Sequence, residues 1–136
     1  MLQPLGDLPA TLDGLEAVGS VERDDLSRAL APIVERAQRE RRRIRLVYVL
    51  GPSIELGAVA AAWDDARIAL RMAGGLFDGC AIVSDHAWVR EATKLVAQDL
   101  PCPVRVFGMH ELASAIAWLA SLPARHAAAP SAGPAS

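Results

Sequence analysis

The stretch Ile82-Val83-Ser84-Asp85-His86-Ala87-Trp88 halts an apolar run on an acid, a histidine and a tryptophan. An aspartate next to a histidine at the end of a strand is the kind of pair that general acid–base catalysis or metal ligation employs. Either chemistry needs a further group. The remaining histidines are His110 and His126, the latter in a C-terminal segment of low complexity. The competing reading is structural: if Val83 closes a strand, Asp85 falls at the N-cap of the next helix. Its carboxylate would then accept from the amides of Ala87 or Trp88, a contribution of about 1 kcal/mol. The cap is the preferred reading, and no catalytic residue or metal ligand is assigned.

Three other groups of residues invite the same question. Trp63-Asp64-Asp65 contains two adjacent acids, but neighbours on a helix point about 100° apart. They cannot converge on one substrate as the paired carboxylates of glycosidases do. Asp64 can instead pair with Arg67 three residues on. Ser53, in Gly51-Pro52-Ser53-Ile54-Glu55, could accept a phosphoryl group or act as a nucleophile, yet the surrounding residues do not form the Gly-x-Ser-x-Gly elbow of hydrolases. No phosphate-binding Gly-x-x-x-x-Gly-Lys loop occurs either. Cys80 opens an apolar strand and is expected in the core. Cys102, between Pro101 and Pro103, is expected to be the more exposed of the two. Two cysteines make no disulfide framework.

The elements that must position these residues follow from periodicity. Leu2–Leu8 and Gly14–Val21, separated by a turn containing Pro9 and Asp13-Gly14, predict an antiparallel β-hairpin. From Glu22 to about Arg42, Leu26, Leu30, Ile33 and Ala37 recur at helical spacing, with Glu22 and Asp25 as a loose capping pair and Pro32 as an expected kink. Ile44–Leu50 is a strand buried on both faces. Gly57–Ala73 is a helix whose apolar stripe is Val59, Ala62, Trp63, Ala66, Leu70 and Ala73, closed by Gly74-Gly75. A strand over Cys80–Ser84, a helix over Asp85–Leu100, a strand over Val104–Phe107 and a helix over His110–Ser121 complete the pattern. In the last helix Leu112, Ala115 or Ile116, and Leu119 are expected to face inward.

This order predicts an α/β fold in one domain over residues 1–122: a hairpin, then alternating helices and strands, giving a mixed sheet of four or five strands flanked by helices. Residues 123–136, rich in Ala, Pro, Ser and Gly, are expected to form a flexible tail. With 136 residues, 52% of them hydrophobic, the chain can build one core. A net charge of -2 excludes a general nucleic-acid binder. The one basic run, Arg39–Arg45, is expected to be a solvated helix end, with an acidic partner or anionic lipid as the other reading. No run approaches the ~18 apolar residues of a membrane span, and the first residues do not read as a signal peptide, so a cytoplasmic location is expected.

Trp63-Asp64-Asp65, Asp85 with Trp88, Val104-Arg105-Val106-Phe107 and Ala117-Trp118 occur in this order, after "LEAVGSVERDDLSRALAPIVERAQ" and "IRLVYVL". In these motifs the chain resembles the SpoIIAA-like family, relatives of STAS domains, over nearly everything before the tail. The resemblance implies helices around one sheet, a fold similar to the CRAL-TRIO lipid-carrier domains, no enzymatic activity and no cofactor. It further implies either binding of an apolar or amphiphilic small molecule, with transient peripheral membrane contact, or a protein-interaction role of the STAS partner-switch or anti-sigma-factor-antagonist type. STAS antagonists switch through a serine in an Asp-Ser-Ser-Gly-Leu-like turn; the corresponding turn here is "GPSIELG", in which Ser53 alone is available as a regulatory residue. For the ligand reading, the Ala-rich helix with Ala58, Ala60, Ala61, Ala62, Ala66 and Ala69 leaves room against the sheet. The expected pocket is formed by Trp63, Ala66, Ile68, Met72, Trp88 and Leu95, opened by movement of that helix. A protein partner and a homodimer both stay open.

Overall fold

The computed structural model describes residues 1–123 apart from 23, 53, 56 and 57. Strands β1 (Leu2–Pro4) and β2 (Asp13–Ala17) form the antiparallel hairpin. There follow α1 (Asp25–Arg39), β3 (Ile44–Val49), α2 (Val59–Met72), β4 (Phe77–Val83), α3 (Ala87–Val96), β5 (Val104–Phe107) and α4 (Leu112–Ser121). The sheet order is β1-β2-β3-β4-β5, with β2 to β5 parallel. The fold is therefore α/β with a mixed five-stranded sheet.

Each crossover steps one strand further in the same direction. Right-handed crossovers of that kind place α1, α2 and α3 on one face, and only α4, which follows the last strand, covers the other. Strand alternation divides the core accordingly. Leu46, Tyr48, Cys80 and Ile82 meet Leu26, Ile33, Ala62, Trp63, Ala66, Leu70 and Val89 of the three-helix layer. Val47, Val49, Ala81 and Val83 meet Ala115 and Leu119 of α4, with Leu12 and Phe107. Both faces being covered, β3 and β4 are apolar at nearly every position. In α4 it is Ala115 and Leu119 that are buried, whereas Leu112 lies at the surface.

The start of α1 carries half of a capping box: the Asp25 carboxylate accepts from the Glu22 amide at 2.9 Å and also pairs with Arg28. The helix continues through Pro32, which is exposed. It ends with Arg41 in the left-handed region at φ 55°, the Arg42 amide bonding the Ala37 carbonyl and the Arg41 amide that of Gln38. That is a Schellman ending with arginine where glycine is usual.

Strand β4 begins at Phe77 and not at Cys80, and the reason lies in the basic run. Ile44 stands opposite Phe77 but Arg45 opposite Gly79, so Asp78 is an extra residue in a bulge. Its buried carboxylate meets Arg45 at 3.4 Å and Arg43 at 3.9 Å. Arg45 also donates to the Leu119 and Ala120 carbonyls at the end of α4, and Arg43 to the Gly75 carbonyl. Asp13, likewise buried, is held by Arg36 and Arg42. The expectation of a solvated basic helix end holds for Arg39 and Arg41, which are exposed, and is corrected for the rest: the side chains of Arg42, Arg43 and Arg45 are 14–17% exposed and neutralise carboxylates where the strands begin. Cys102, expected to be the more exposed of the two cysteines, is buried at 4%, against 1% for Cys80.

Candidate functional site

The Ala-rich helix α2 and helix α3 meet at one tryptophan. Trp63 is 7% exposed, and its indole N–H donates to Thr93 Oγ1 at 2.8 Å. The Thr93 hydroxyl in turn donates to the Val89 carbonyl at 2.7 Å. Trp88, from the first turn of α3, stands edge-on to Trp63 with ring centroids 5.4 Å apart and planes at 80°, the favoured T-shaped arrangement. On the α2 side the Arg67 guanidinium lies 5.8 Å from the Trp63 ring centroid and is held in place by Asp64 at 2.6 Å. Asp64 therefore has the structural partner that its spacing suggested.

Beneath this seam is a void of about 10 Å³ lined by Trp63, Ala66, Leu70, Ile82, Thr93 and Val104, among others. It is no larger than one water-sized probe. Of the six residues expected to form a pocket, Trp63 and Ala66 line this void, and Trp88, 51% exposed, touches it only through its contact with Trp63. Ile68, Met72 and Leu95 are 42%, 85% and 82% exposed and do not join it. Helix geometry accounts for the difference. Ile68 is two residues from Ala66, and Leu95 two from Thr93, which turns each about 200° from a position facing the sheet. They are exposed on the outward sides of α2 and α3. Ser53 lies outside the described residues.

Helix α2, like α3, starts without a side-chain cap. Its N-cap is Ala58, with no side-chain acceptor for the first amides, and its first turn contains no acid. Two of the residues it buries are alanines, Ala62 and Ala66, which remove little apolar surface from water.

A second concavity, about 270 Å³, lies at the carboxyl ends of the parallel strands and is lined by Gly51, Pro52, Asp85, His86 and Met109. This is where open α/β sheets gather ligands. A Cβ on Gly51 would come within 2.7 Å of the Met109 Cε. The expected cap at Asp85 is corrected here. His86 is the cap position of α3, and fully buried Ser84 accepts from the His86 amide through Oγ at 3.1 Å. Asp85 reaches across the cleft and accepts from the Met109 amide at 3.0 Å, tying the end of β4 to the turn after β5. A carboxylate committed to a backbone amide holds a turn in place. Among the described residues no three His, Cys, Asp or Glu side chains come together as a metal site.

Periodicity missed Thr93, and it gave Arg67 only as the partner of Asp64 and not as the cation beside the Trp63 ring. Thr93 carried one signal, a hydroxyl in the apolar stripe of α3, but its partner 30 residues away is invisible without the fold.

A hairpin-led mixed sheet with three helices on one face and one on the other, its helical layer joined at a tryptophan seam, defines a small single-sheet α/β domain. The SpoIIAA-like family model matches residues 14–120, and the chain belongs to that family. Among solved structures it is similar to an uncharacterised protein of the DUF3478 family with a SpoIIAA-like fold from Shewanella loihica. The identity is 21% and the TM-score 0.58, over 87% of this chain and 93% of that one. At that identity the likeness speaks for the fold. No curated protein matches the chain. Among the described residues no helix is long and apolar enough to cross a membrane.

Proposed function

We propose that this protein is a non-enzymatic binding module that takes an apolar or amphiphilic small molecule between α2 and the sheet, with the Trp63–Trp88 seam as the entrance. The observation that carries this reading is Trp88. A half-exposed tryptophan stands edge-on to the buried Trp63, beside a helix whose first turn has no side-chain cap. Lifting α2 would enlarge the small void into an apolar chamber floored by Ile82 and Val104. Ile68, Met72 and Leu95 are exposed apolar side chains on the same layer, suited to a membrane from which such a ligand would be drawn.

Native mass spectrometry of the freshly purified protein, followed by organic extraction, tests the reading. A stoichiometric amphiphile that is retained by the wild type and lost from Trp88→Ala is the expected result. A clean apo mass, together with unchanged tryptophan fluorescence on titration with decanol or decanoate, overturns it. That outcome would move the assignment to a partner-binding regulator using the cleft at Gly51, Pro52, Asp85, His86 and Met109.

A further inference from the structure

The hairpin and α1 leave a hollow between them that shares no lining residue with the void under Trp63. Strand β1 stops at Pro4 and β2 starts at Asp13, and the turn that joins them folds back onto the sheet. A Cβ on Gly14 would meet Leu8 Cδ1 at 2.6 Å and Leu5 Cδ1 at 2.8 Å, so both leucines sit directly on the glycine backbone and packing fixes the turn. Between this turn and α1 lies a cavity of about 560 Å³, a volume within the usual range of small-molecule pockets, about 300–1,000 Å³.

Most of the wall is apolar: Leu5, Leu8 and Pro9 from the turn, Pro32 and Ile33 from α1, and Leu15 from β2. Pro32 is exposed, and its short ring occupies a position from which a longer side chain would fill the hollow. The charges are unevenly matched. Among the described residues three carboxylates line the cavity, Asp7, Asp13 and Glu40, against one guanidinium, Arg36. Asp13, its side chain 1% exposed, is already held by Arg36 and Arg42, and Arg42 also pairs with Glu40 at 2.6 Å. Two arginines thus serve three carboxylates. The charge left over is that of Asp7, exposed on the turn and without an ion pair among the described residues. An apolar hollow with a net negative lining favours an apolar molecule that carries a positive charge over one that carries a negative charge.

We propose that this hollow is a second binding site, and that it takes a small aliphatic amine. The chain lies against Leu5, Leu8, Pro32 and Ile33, and the ammonium stays at the rim beside Asp7, where it keeps most of its water. The buried ion pairs of Asp13 stay in place. The site is separate from the one proposed beneath α2, and either can exist without the other.

Titration of the full chain with octylamine, octanol and octanoate, read by isothermal calorimetry and by amide NMR shifts, tests this on the wild type, Asp7→Asn and Pro32→Trp. Asparagine tolerates the left-handed backbone at Asp7, φ 59°, and Pro32→Trp restores a helical amide, so both variants are expected to fold. Octylamine should bind the wild type more tightly than octanol, and octanol more tightly than octanoate, with shifts confined to residues 5–15 and 29–40. Asp7→Asn should weaken octylamine binding by about threefold, the usual effect of one exposed charge, and leave octanol unchanged. Pro32→Trp should abolish the binding of both. Octanoate binding as tightly as octylamine overturns the site, as does an octylamine affinity unchanged in either variant. Shifts centred on Trp63 and Thr93 also overturn it, and assign the amine to the seam between α2 and α3. If no probe binds the wild type, the amine site fails, while the binding function proposed above keeps its own test.

Discussion

Thr93→Val isolates the bond that clasps α2 to α3. Valine keeps the shape of threonine but cannot accept from the Trp63 indole, whose N–H lies in a buried environment 2.8 Å from the hydroxyl. The variant loses a neutral hydrogen bond with a net value of about 1 kcal/mol and leaves a desolvated donor, which costs about 1–3 kcal/mol in all. The Val89 carbonyl, which also loses the hydroxyl, keeps its helical amide partner within α3. For a domain of this size the loss corresponds to a fall in Tm of about 4–10 °C. Urea denaturation followed by far-UV circular dichroism should show a lower midpoint at an unchanged m-value. Thr93→Ser is the control: it keeps the acceptor and removes one methyl, at a cost of about 1 kcal/mol. If Thr93→Val is within about 0.5 kcal/mol of the wild type, or if Thr93→Ser costs more than Thr93→Val, then methyl packing holds the seam and the hydrogen-bond argument is wrong.

Two further outcomes follow from the ends of α1. Arg41→Gly should stabilise the protein by about 1 kcal/mol, because Arg41 occupies a left-handed position that costs an L-residue with a Cβ about that much; an unchanged urea midpoint would contradict this. Asp25, held below its ordinary value of 3.8 first by the Glu22 amide and then by Arg28, contributes stability that is fully present at neutral pH. That contribution is lost as the pH falls below 3.8 and through the lower folded-state value. Asp25→Asn should therefore lower stability at pH 7 while narrowing its difference from the wild type in acid, as read from thermal melts across pH 2–7.

What the sequence by itself determined about this protein is what local backbone geometry controls. The nearly continuous apolar run Ile44–Leu50 announced a strand covered on both sides, and Val104–Phe107 was bounded correctly by its flanking proline and glycine. The stripe of Ala62, Trp63, Ala66 and Leu70 identified the buried side of α2, because side chains repeat every 3.6 residues whatever the helix packs on. The hairpin, the alternation of helices with strands and the family resemblance followed from the same short-range patterns.

What only the tertiary structure decided are the partnerships between residues distant in the chain. Arg43 and Arg45 looked like the end of a solvated helix; the bulge at Asp78 turned them into half-buried partners of a buried carboxylate, and that bulge exists only because β3 and β4 lie side by side. Asp85 had the spacing of a helix cap but found the Met109 amide 24 residues away, leaving the cap position to His86. Ile68, Met72 and Leu95 had the right composition for a pocket, yet they lie on the outward side of α2 and α3 and do not reach the void that Trp63 and Ala66 line. Tyr48, one apolar-looking residue in an apolar strand, became a buried hydroxyl without a hydrogen-bond partner among the described residues. Periodicity specifies which side of an element is buried. Which groups meet there, and which polar atom is left over, depends on the distance and register between elements, and these belong to the assembled fold.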